Sequence, residues 1–124
     1  WKIASLYASH RADPALREAA AKACQEAVPE IGIYRGRIVS GDQFVCTTQK
    51  KHYIVDTFHA LCTEMEGAAI AHTAYLNKIP FVILRAISDK ADEEADVSYE
   101  TFEHHAADNC AKLVSRMVRD LENK

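Results

Sequence analysis

The sequence has few residues that interrupt regular structure and lacks the signatures of several protein classes. Only four glycines and three prolines occur in 124 residues, so we expect mostly regular elements joined by short turns. The cysteines form no C-x-x-C pair, which favours buried, reduced thiols in the cytosol: Cys24, Cys46, Cys62 and Cys110. The six histidines show no metal-ligand spacing, and we expect neither a metal nor another cofactor.

Charge and hydropathy also argue against two kinds of partner. A net charge of −3 and a pI of about 6.1 offer no basic face for nucleic acid or an anionic membrane. No apolar run approaches the roughly 20 residues of a membrane span. The start at Trp1 has neither an initiator Met nor a signal peptide, so we expect a processed, excised or incomplete chain.

Alternating helical and strand patterns predict an α/β fold with a largely parallel sheet. Asp13 can cap a first helix that has Pro14 at its first position and ends at Pro29. Further helices are predicted at 48–58, at 67–77 and after a capping Ser98, and strands at 31–39, 60–65 and 81–84. So few strands would leave a bare edge, and we expect another segment or a partner to complete the sheet.

Polar and acidic groups follow each of the three predicted strands, where α/β sheets bind their ligands. Glu64 and Glu66 would point to one face if the strand extends that far, and Glu66 also falls at a helix start. They are either a capping or solvated pair, or a carboxylate that accepts two hydroxyls of a sugar. Arg85 is either a structural salt bridge or a pocket residue paired with a nearby Glu.

Two other residues at these strand ends also allow two interpretations each. Asp89 is a turn or cap residue, or a carboxyl group that gives a proton to a leaving group. Phe44 is an ordinary core residue or a platform on which a flat heterocycle stacks.

Three segments of the chain resemble the 5′-methylthioadenosine/S-adenosylhomocysteine nucleosidases, within the wider nucleoside phosphorylase superfamily. The likeness is carried by V-S-G-D-Q-F-V at 39–45, E-M-E-G-A-A-I-A-H at 64–72 and F-V-I-L-R-A-I-S-D-K-A-D at 81–92. It extends from about Arg11 to the C-terminus and implies a three-layer α/β/α fold with a mixed, largely parallel sheet. Residues 1–124 would form the C-terminal portion of a single domain, without its N-terminal portion.

For the base, the resemblance implies four roles. Asp89 would hydrogen-bond or protonate the adenine N7, and Ser88 would help to orient it. Phe44 would stack on the base, and the backbone of Val45 would meet its Watson–Crick edge. To hold a proton near neutral pH, Asp89 would need a raised pKa, as burial can give.

For the sugar, the resemblance implies that Met65 packs against the ribose and that Glu66 binds the 2′- and 3′-hydroxyls. Glu64 and Arg85 would be supporting polar residues. Tyr99 falls where the family often has Phe, near the 5′-thio substituent, so the preference among 5′-substituents stays open.

The implied activity is hydrolysis of the N-glycosidic bond of methylthioadenosine and S-adenosylhomocysteine, which releases adenine for methionine salvage. The family's water-activating glutamate lies near the N-terminus, in a segment that these residues do not contain. The alternatives are a phosphate-dependent purine nucleoside phosphorylase, or an inactive nucleoside-binding fragment if the chain is complete. The resemblance also implies a cytoplasmic homodimer that acts on a small-molecule nucleoside.

Overall fold

The computed structural model describes residues 10–87, 90–91 and 95–123, with the backbone alone for 95–103. In chain order its elements are α1 (Pro14–Ala27), β1 (Arg37–Ser40), α2 (Thr48–Phe58), β2 (Ala60–Glu64), α3 (Gly67–Leu76) and α4 (Ala95–Glu122). β1 and β2 pair in parallel, with Ser40 opposite Glu64. The α/β class with a parallel sheet is therefore confirmed.

The first helix begins where its sequence predicts. The Asp13 side chain accepts the N–H of Leu16 at 2.9 Å, and Pro14 occupies the first helical position. Its lack of an N–H costs nothing there, because no carbonyl precedes it to accept one. The helix ends at Ala27. The N–H of the C-cap residue Val28 still bonds to the carbonyl of Cys24 at 2.9 Å, and Pro29, which has no N–H, follows directly.

The core lies between α1 and α4. Ala20 and Ala23 of α1 and Met117 of α4 are buried there, and Val82 and Leu84 pack against them. The small side chains of Ala20 and Ala23 leave room at this contact, and the longer, flexible side chain of Met117 fills it. Val82 and Leu84 thereby hold this part of the chain against the core and position Arg85, which directly follows Leu84.

The prediction of a strand at 81–84 is wrong, since residues 79–87 form neither helix nor strand in the structure. The side chains behave as in a strand, because Val82 and Leu84, two apart, face the same core. The backbone does not, since the carbonyl of Phe81 accepts the N–H of Asp13 at 2.8 Å, and Asp13 is the N-cap of a helix and not part of a strand. A strand needs a continuous ladder with a neighbour, and the described residues provide none.

Two other predicted boundaries also differ. The strand predicted at 31–39 covers only Arg37–Ser40, because pairing begins opposite Ala60 and β2 has only five residues. Ser98 lies inside α4, which begins at Ala95, so the residue preceding this helix falls outside the described part. Over the described residues, no helix combines the length and apolarity needed to cross a bilayer.

None of the four cysteines, all of which lie in the described residues, forms a disulfide, but they differ in burial. Cys24 is buried, Cys62 and Cys110 are half-buried, and Cys46 is exposed, so the prediction of buried thiols is wrong for Cys46. Burial, together with the negative charge of Glu30, raises the pKa of the Cys24 thiol. Cys24 therefore behaves as an inert core residue.

Candidate active site

The ends of β1 and β2 meet the start of α3 at one edge of the sheet. Ser40 and Glu64 are register partners at the last position of their strands. The N–H of Gly41 donates to the backbone carbonyl of Glu64 at 3.0 Å and holds the turn after β1 against β2. The polar groups after these two strands therefore lie side by side, as expected for parallel strands.

Glu64 is the centre of this cluster, with a side chain only 7% exposed. One carboxylate oxygen, Oε2, accepts the N–H groups of Glu66 at 3.0 Å and Gly67 at 2.7 Å. The other oxygen, Oε1, accepts the hydroxyl of Ser40. The N–H groups at a helix start have no partner within the helix, and negative charge is favourable there. Glu64 thus satisfies the start of α3 from outside the helix.

The ionisation of Glu64 follows from these contacts. Burial by itself would raise the pKa of the carboxyl group. Hydrogen bonds from Ser40, the two backbone N–H groups and Arg85 together outweigh burial and lower the pKa below its usual 4.5. Glu64 is therefore an anion at neutral pH, which suits a fixed structural acceptor.

Arg85 connects the segment 79–87 to both carboxylates. Its Nη2 forms an ion pair with Glu64 and donates to Oε2 of Glu66 at 2.5 Å. Burial alone would lower the pKa of the guanidinium, but the two carboxylates outweigh it and raise the pKa. The ion pair expected for Arg85 is present, and it involves two glutamates.

Glu66 is the N-cap residue of α3, yet its side chain makes no capping hydrogen bond. The carboxylate instead contacts Arg85, and the side chain is 63% exposed. β2 ends at Glu64, so the two carboxylates are not brought together by strand alternation as the sequence suggested. They converge because Arg85 binds both.

The loop between β1 and α2 carries the residues expected to hold a base. Val45 is buried at 6% exposure, and Phe44 is 46% exposed. The side chain of Lys50 in α2 hydrogen-bonds to Gln43 and fixes the start of this stretch. An exposed ring on an anchored loop is compatible with stacking, and the roles of Phe44 and Val45 stay predictions.

Met65 lies between Glu64 and Glu66 and is 46% exposed. Val45, Met65 and Arg85 all line one broad groove of about 2710 Å³. Typical ligand pockets have volumes of about 300–1,000 Å³, so this open groove is a broad face of the molecule and not a pocket shaped to one ligand. The contact of Met65 with ribose stays a prediction.

Asp89 and Ser88 lie outside the described residues, and their roles stay predictions. Tyr99 lies in the described backbone of α4, and its side chain lies outside the described part.

Sequence reasoning missed two members of the cluster. Ser40 donates to Glu64 and also accepts the N–H of Ala68 at 2.7 Å, so it links β1 to α3. Gly67 is the other: a Cβ at this position would lie only 2.9 Å from Oε1 of Glu64, so a side chain there would crowd the carboxylate. The signal for both was the pairing of Ser40 with Glu64, which requires knowledge of the strand register.

Residues 6–119 match the family model of the Phosphorylase superfamily. A 5′-methylthioadenosine/S-adenosylhomocysteine nucleosidase of an Exiguobacterium species is 40% identical over 98 residues, which cover 78% of this chain and 42% of the relative. An aminodeoxyfutalosine nucleosidase of Helicobacter pylori is 42% identical over 91 residues, which cover 73% of this chain and 39% of the relative.

Solved structures agree with these relatives. The 5′-methylthioadenosine/S-adenosylhomocysteine nucleosidase of Neisseria meningitidis, in complex with methylthio-immucillin-A, has a TM-score of 0.83 and 41% identity. The match covers 90% of this chain and 48% of that structure. The chain thus spans less than half the length of the proteins that it matches.

Proposed function

Because the chain belongs to the Phosphorylase superfamily, we propose that it contributes the base-and-ribose part of a nucleosidase site. The proposed reaction is hydrolysis of 5′-methylthioadenosine and S-adenosylhomocysteine to release adenine. The observation that carries the proposal is the Glu66 carboxylate, held by Arg85 at 2.5 Å and still 63% exposed. Its two acceptor oxygens suit the two hydroxyls of a ribose.

The chemistry assigns a separate task to each end of the substrate. As the C–N bond to adenine breaks, positive charge develops on the ribose, and Glu66 places negative charge near it. Asp89 gives a proton to N7, which makes adenine a better leaving group, and Ser88 orients Asp89. Phe44 and Val45 hold the base. Water adds to the ribose carbon, and its proton passes to a general base.

Four further residues belong to the proposed site. Met65 packs against the ribose, and Tyr99 lies near the 5′-substituent. Glu64 and Arg85 support Glu66, as their hydrogen bonds to the start of α3 and to each other indicate. The water-activating glutamate is proposed to come from the N-terminal part of the domain, by the family resemblance.

We propose that residues 1–124 form the C-terminal portion of one nucleosidase domain. The chain matches less than half of each relative, and in the described residues a two-stranded sheet borders an open groove of about 2710 Å³. Leu61 and Ile87, at 64% and 62% exposure, leave apolar surface that further strands would cover. Co-expression with the N-terminal portion of a relative tests this proposal. Adenine release that requires both portions supports it, and full activity of residues 1–124 without the other portion contradicts it.

The phosphate requirement separates hydrolysis from phosphorolysis. The protein in its full natural length is incubated with 5′-methylthioadenosine in phosphate-free buffer, and adenine and the released sugar are quantified by chromatography. Adenine with free 5-methylthioribose is the expected result. Strict dependence on phosphate, with a sugar 1-phosphate as product, would replace the hydrolase by a phosphorylase. Binding without turnover would leave a nucleoside-binding protein.

Aminodeoxyfutalosine is a second candidate substrate, because a relative that is 42% identical is named for that activity. Tyr99, proposed to lie near the 5′-substituent, stands where the resembling family often has Phe. The ratio of kcat/KM for aminodeoxyfutalosine to that for 5′-methylthioadenosine decides between the two.

We further propose a cytoplasmic homodimer. Four cysteines that form no disulfide suit a reducing compartment, where disulfides rarely persist, and the dimer rests on the family resemblance. Light scattering on the purified protein measures the assembly: twice the protomer mass is expected, and a monomer at micromolar concentration contradicts it.

A further inference from the structure

We infer that Ser40 is a positioning residue for the ribose-binding carboxylate, acting through Glu64 and the start of α3. The inference rests on the proposed function of Glu66. Ser40 itself would not contact the substrate. Its hydroxyl holds Glu64 and the N–H of Ala68, so that the side chain of Glu66 is not needed to cap α3 and can bind a ligand.

The start of α3 is capped by side chains that lie outside the helix. A helix commonly has its first N–H groups satisfied by the side chain of its own N-cap residue. In α3 that residue is Glu66, and its side chain makes no such bond. The N–H of Gly67 donates to Glu64 at 2.7 Å, and the N–H of Ala68 donates to Ser40 at 2.7 Å. Two strand ends therefore cap the helix in place of Glu66.

The side chain at position 40 must donate one hydrogen bond and accept another. The hydroxyl donates to Oε1 of Glu64 and accepts from the N–H of Ala68. A serine or threonine hydroxyl can donate and accept at once, an alanine methyl can do neither, and a cysteine thiol does both weakly. The register, with Ser40 opposite Glu64, places the hydroxyl between β2 and α3.

A chain of hydrogen bonds connects Ser40 to Glu66 through Glu64 and Arg85. Oε2 of Glu64 serves three donors, namely two backbone N–H groups and Arg85, while Ser40 holds Oε1. Without the Ser40 hydroxyl the carboxylate can rotate, and the N–H of Ala68 loses its acceptor. Arg85 binds Glu64 and Glu66 through the same nitrogen, so a shift of Glu64 moves Arg85 and with it the Glu66 carboxylate.

The test uses Ser40→Ala and Ser40→Thr in the full-length protein. Thr73→Ala is the matched control, because that exposed hydroxyl donates at 2.9 Å to the carbonyl of Ala69 in the same helix. Adenine release is measured with 5′-methylthioadenosine and with its 2′-deoxy analogue. Loss of a group that orients a metal ligand typically costs about 10–100-fold in activity, and by analogy we expect a similar fall in kcat/KM for Ser40→Ala. The fall should be clearly smaller with the 2′-deoxy analogue, and Ser40→Thr and Thr73→Ala should stay near the parent.

An equal loss on both substrates would make Ser40 merely structural and would overturn the inference, as would unchanged kinetics of Ser40→Ala. Amide hydrogen exchange provides a readout that needs no activity: the N–H of Ala68 should exchange faster in Ser40→Ala and not in Thr73→Ala. A parent protein that releases no adenine contradicts the proposed function, while unchanged exchange at Ala68 contradicts the role of Ser40. If Ser40→Ala does not fold, Ser40→Cys replaces it in both measurements.

Discussion

The carboxylate of Glu64 receives the backbone N–H of Gly67 at 2.7 Å, and this contact leaves no space for a side chain at position 67. A Cβ there would lie 2.9 Å from Oε1 and 3.1 Å from Oε2 of the same carboxylate. The carboxylate is also held by Ser40 and Arg85, so it cannot move aside without breaking other hydrogen bonds. The glycine is therefore required by close approach.

Gly67→Ala should destabilise the protein and impair adenine release. Alanine is normally the better helix residue, but forcing a methyl group into packed surroundings costs about 1–3 kcal/mol. Urea unfolding and kcat/KM measure the two effects. Gly41→Ala is the control, because a Cβ there meets nothing within 4 Å, and its stability should change by no more than about 0.5 kcal/mol. Equal loss of stability in the two variants would contradict this close packing of Gly67 against Glu64.

Glu64→Gln should change how stability depends on pH. The folded-state pKa of Glu64 lies below its usual value of 4.5, so as pH falls the unfolded chain takes up the proton first. The stabilisation by ionised Glu64 is thus complete above pH 4.5 and is lost as pH falls through the folded pKa. Urea unfolding from pH 7 to pH 3 should show a shallower acid decline for Glu64→Gln, which also loses about 1–3 kcal/mol at pH 7.

The control for this pH series is Glu18→Gln. Glu18 forms an ion pair with Arg35 at 2.5 Å, and both of these side chains are exposed. Exposed pairs contribute about 0–1 kcal/mol, so the curve of this variant should follow that of the parent. If the free energy of unfolding of Glu64→Gln falls with decreasing pH as steeply as that of the parent, ionised Glu64 is not the source of this pH dependence.

Asp89→Asn should abolish most adenine release in the full-length protein, because an amide cannot give a proton to N7. General-acid catalysis contributes about 10²–10⁴-fold, and kcat should fall by that factor while the circular dichroism spectrum stays unchanged. Asp56→Asn, on the exposed side of α2, is the matched control. Near-normal turnover of Asp89→Asn would take Asp89 out of the proton-donor role.

The helices were the most predictable part of the fold, since their signals are local. Asp13 and Pro14 mark the start of α1, and predicted helices at 48–58 and 67–77 agree with α2 and α3 to within a residue. The start of α4 was missed because Ser98, a good capping residue, is also tolerated within a first turn.

The strands were less predictable, since a strand exists only with a neighbour. Residues 81–84 have the composition of a buried strand, but the described residues provide no ladder for them. In the same way β1 is limited to Arg37–Ser40 by the length of β2. Apolar composition shows that a segment packs in a core, and it does not specify the pairing of its backbone.

The site was predictable as residue types and not as contacts. Polar residues after strands singled out Glu64, Glu66 and Arg85, and the structure brings all three together. That Glu64 caps a helix while Glu66 stays exposed depends on the position of α3, which no short pattern encodes. Ser40 and Gly67 matter through the same tertiary contacts.

The most direct test of the proposed function is the effect of Glu66→Gln on adenine release from 5′-methylthioadenosine by the full-length protein. The amide keeps the size of the side chain but loses the charge that binds two hydroxyls and faces the developing cation. We expect kcat/KM to fall at least about 100-fold, which corresponds to about 2.7 kcal/mol of lost transition-state stabilisation. Glu18→Gln should keep the parent value. A kcat/KM for Glu66→Gln within about twofold of the parent, or about 0.4 kcal/mol, would contradict the assignment of Glu66 as the ribose-binding carboxylate.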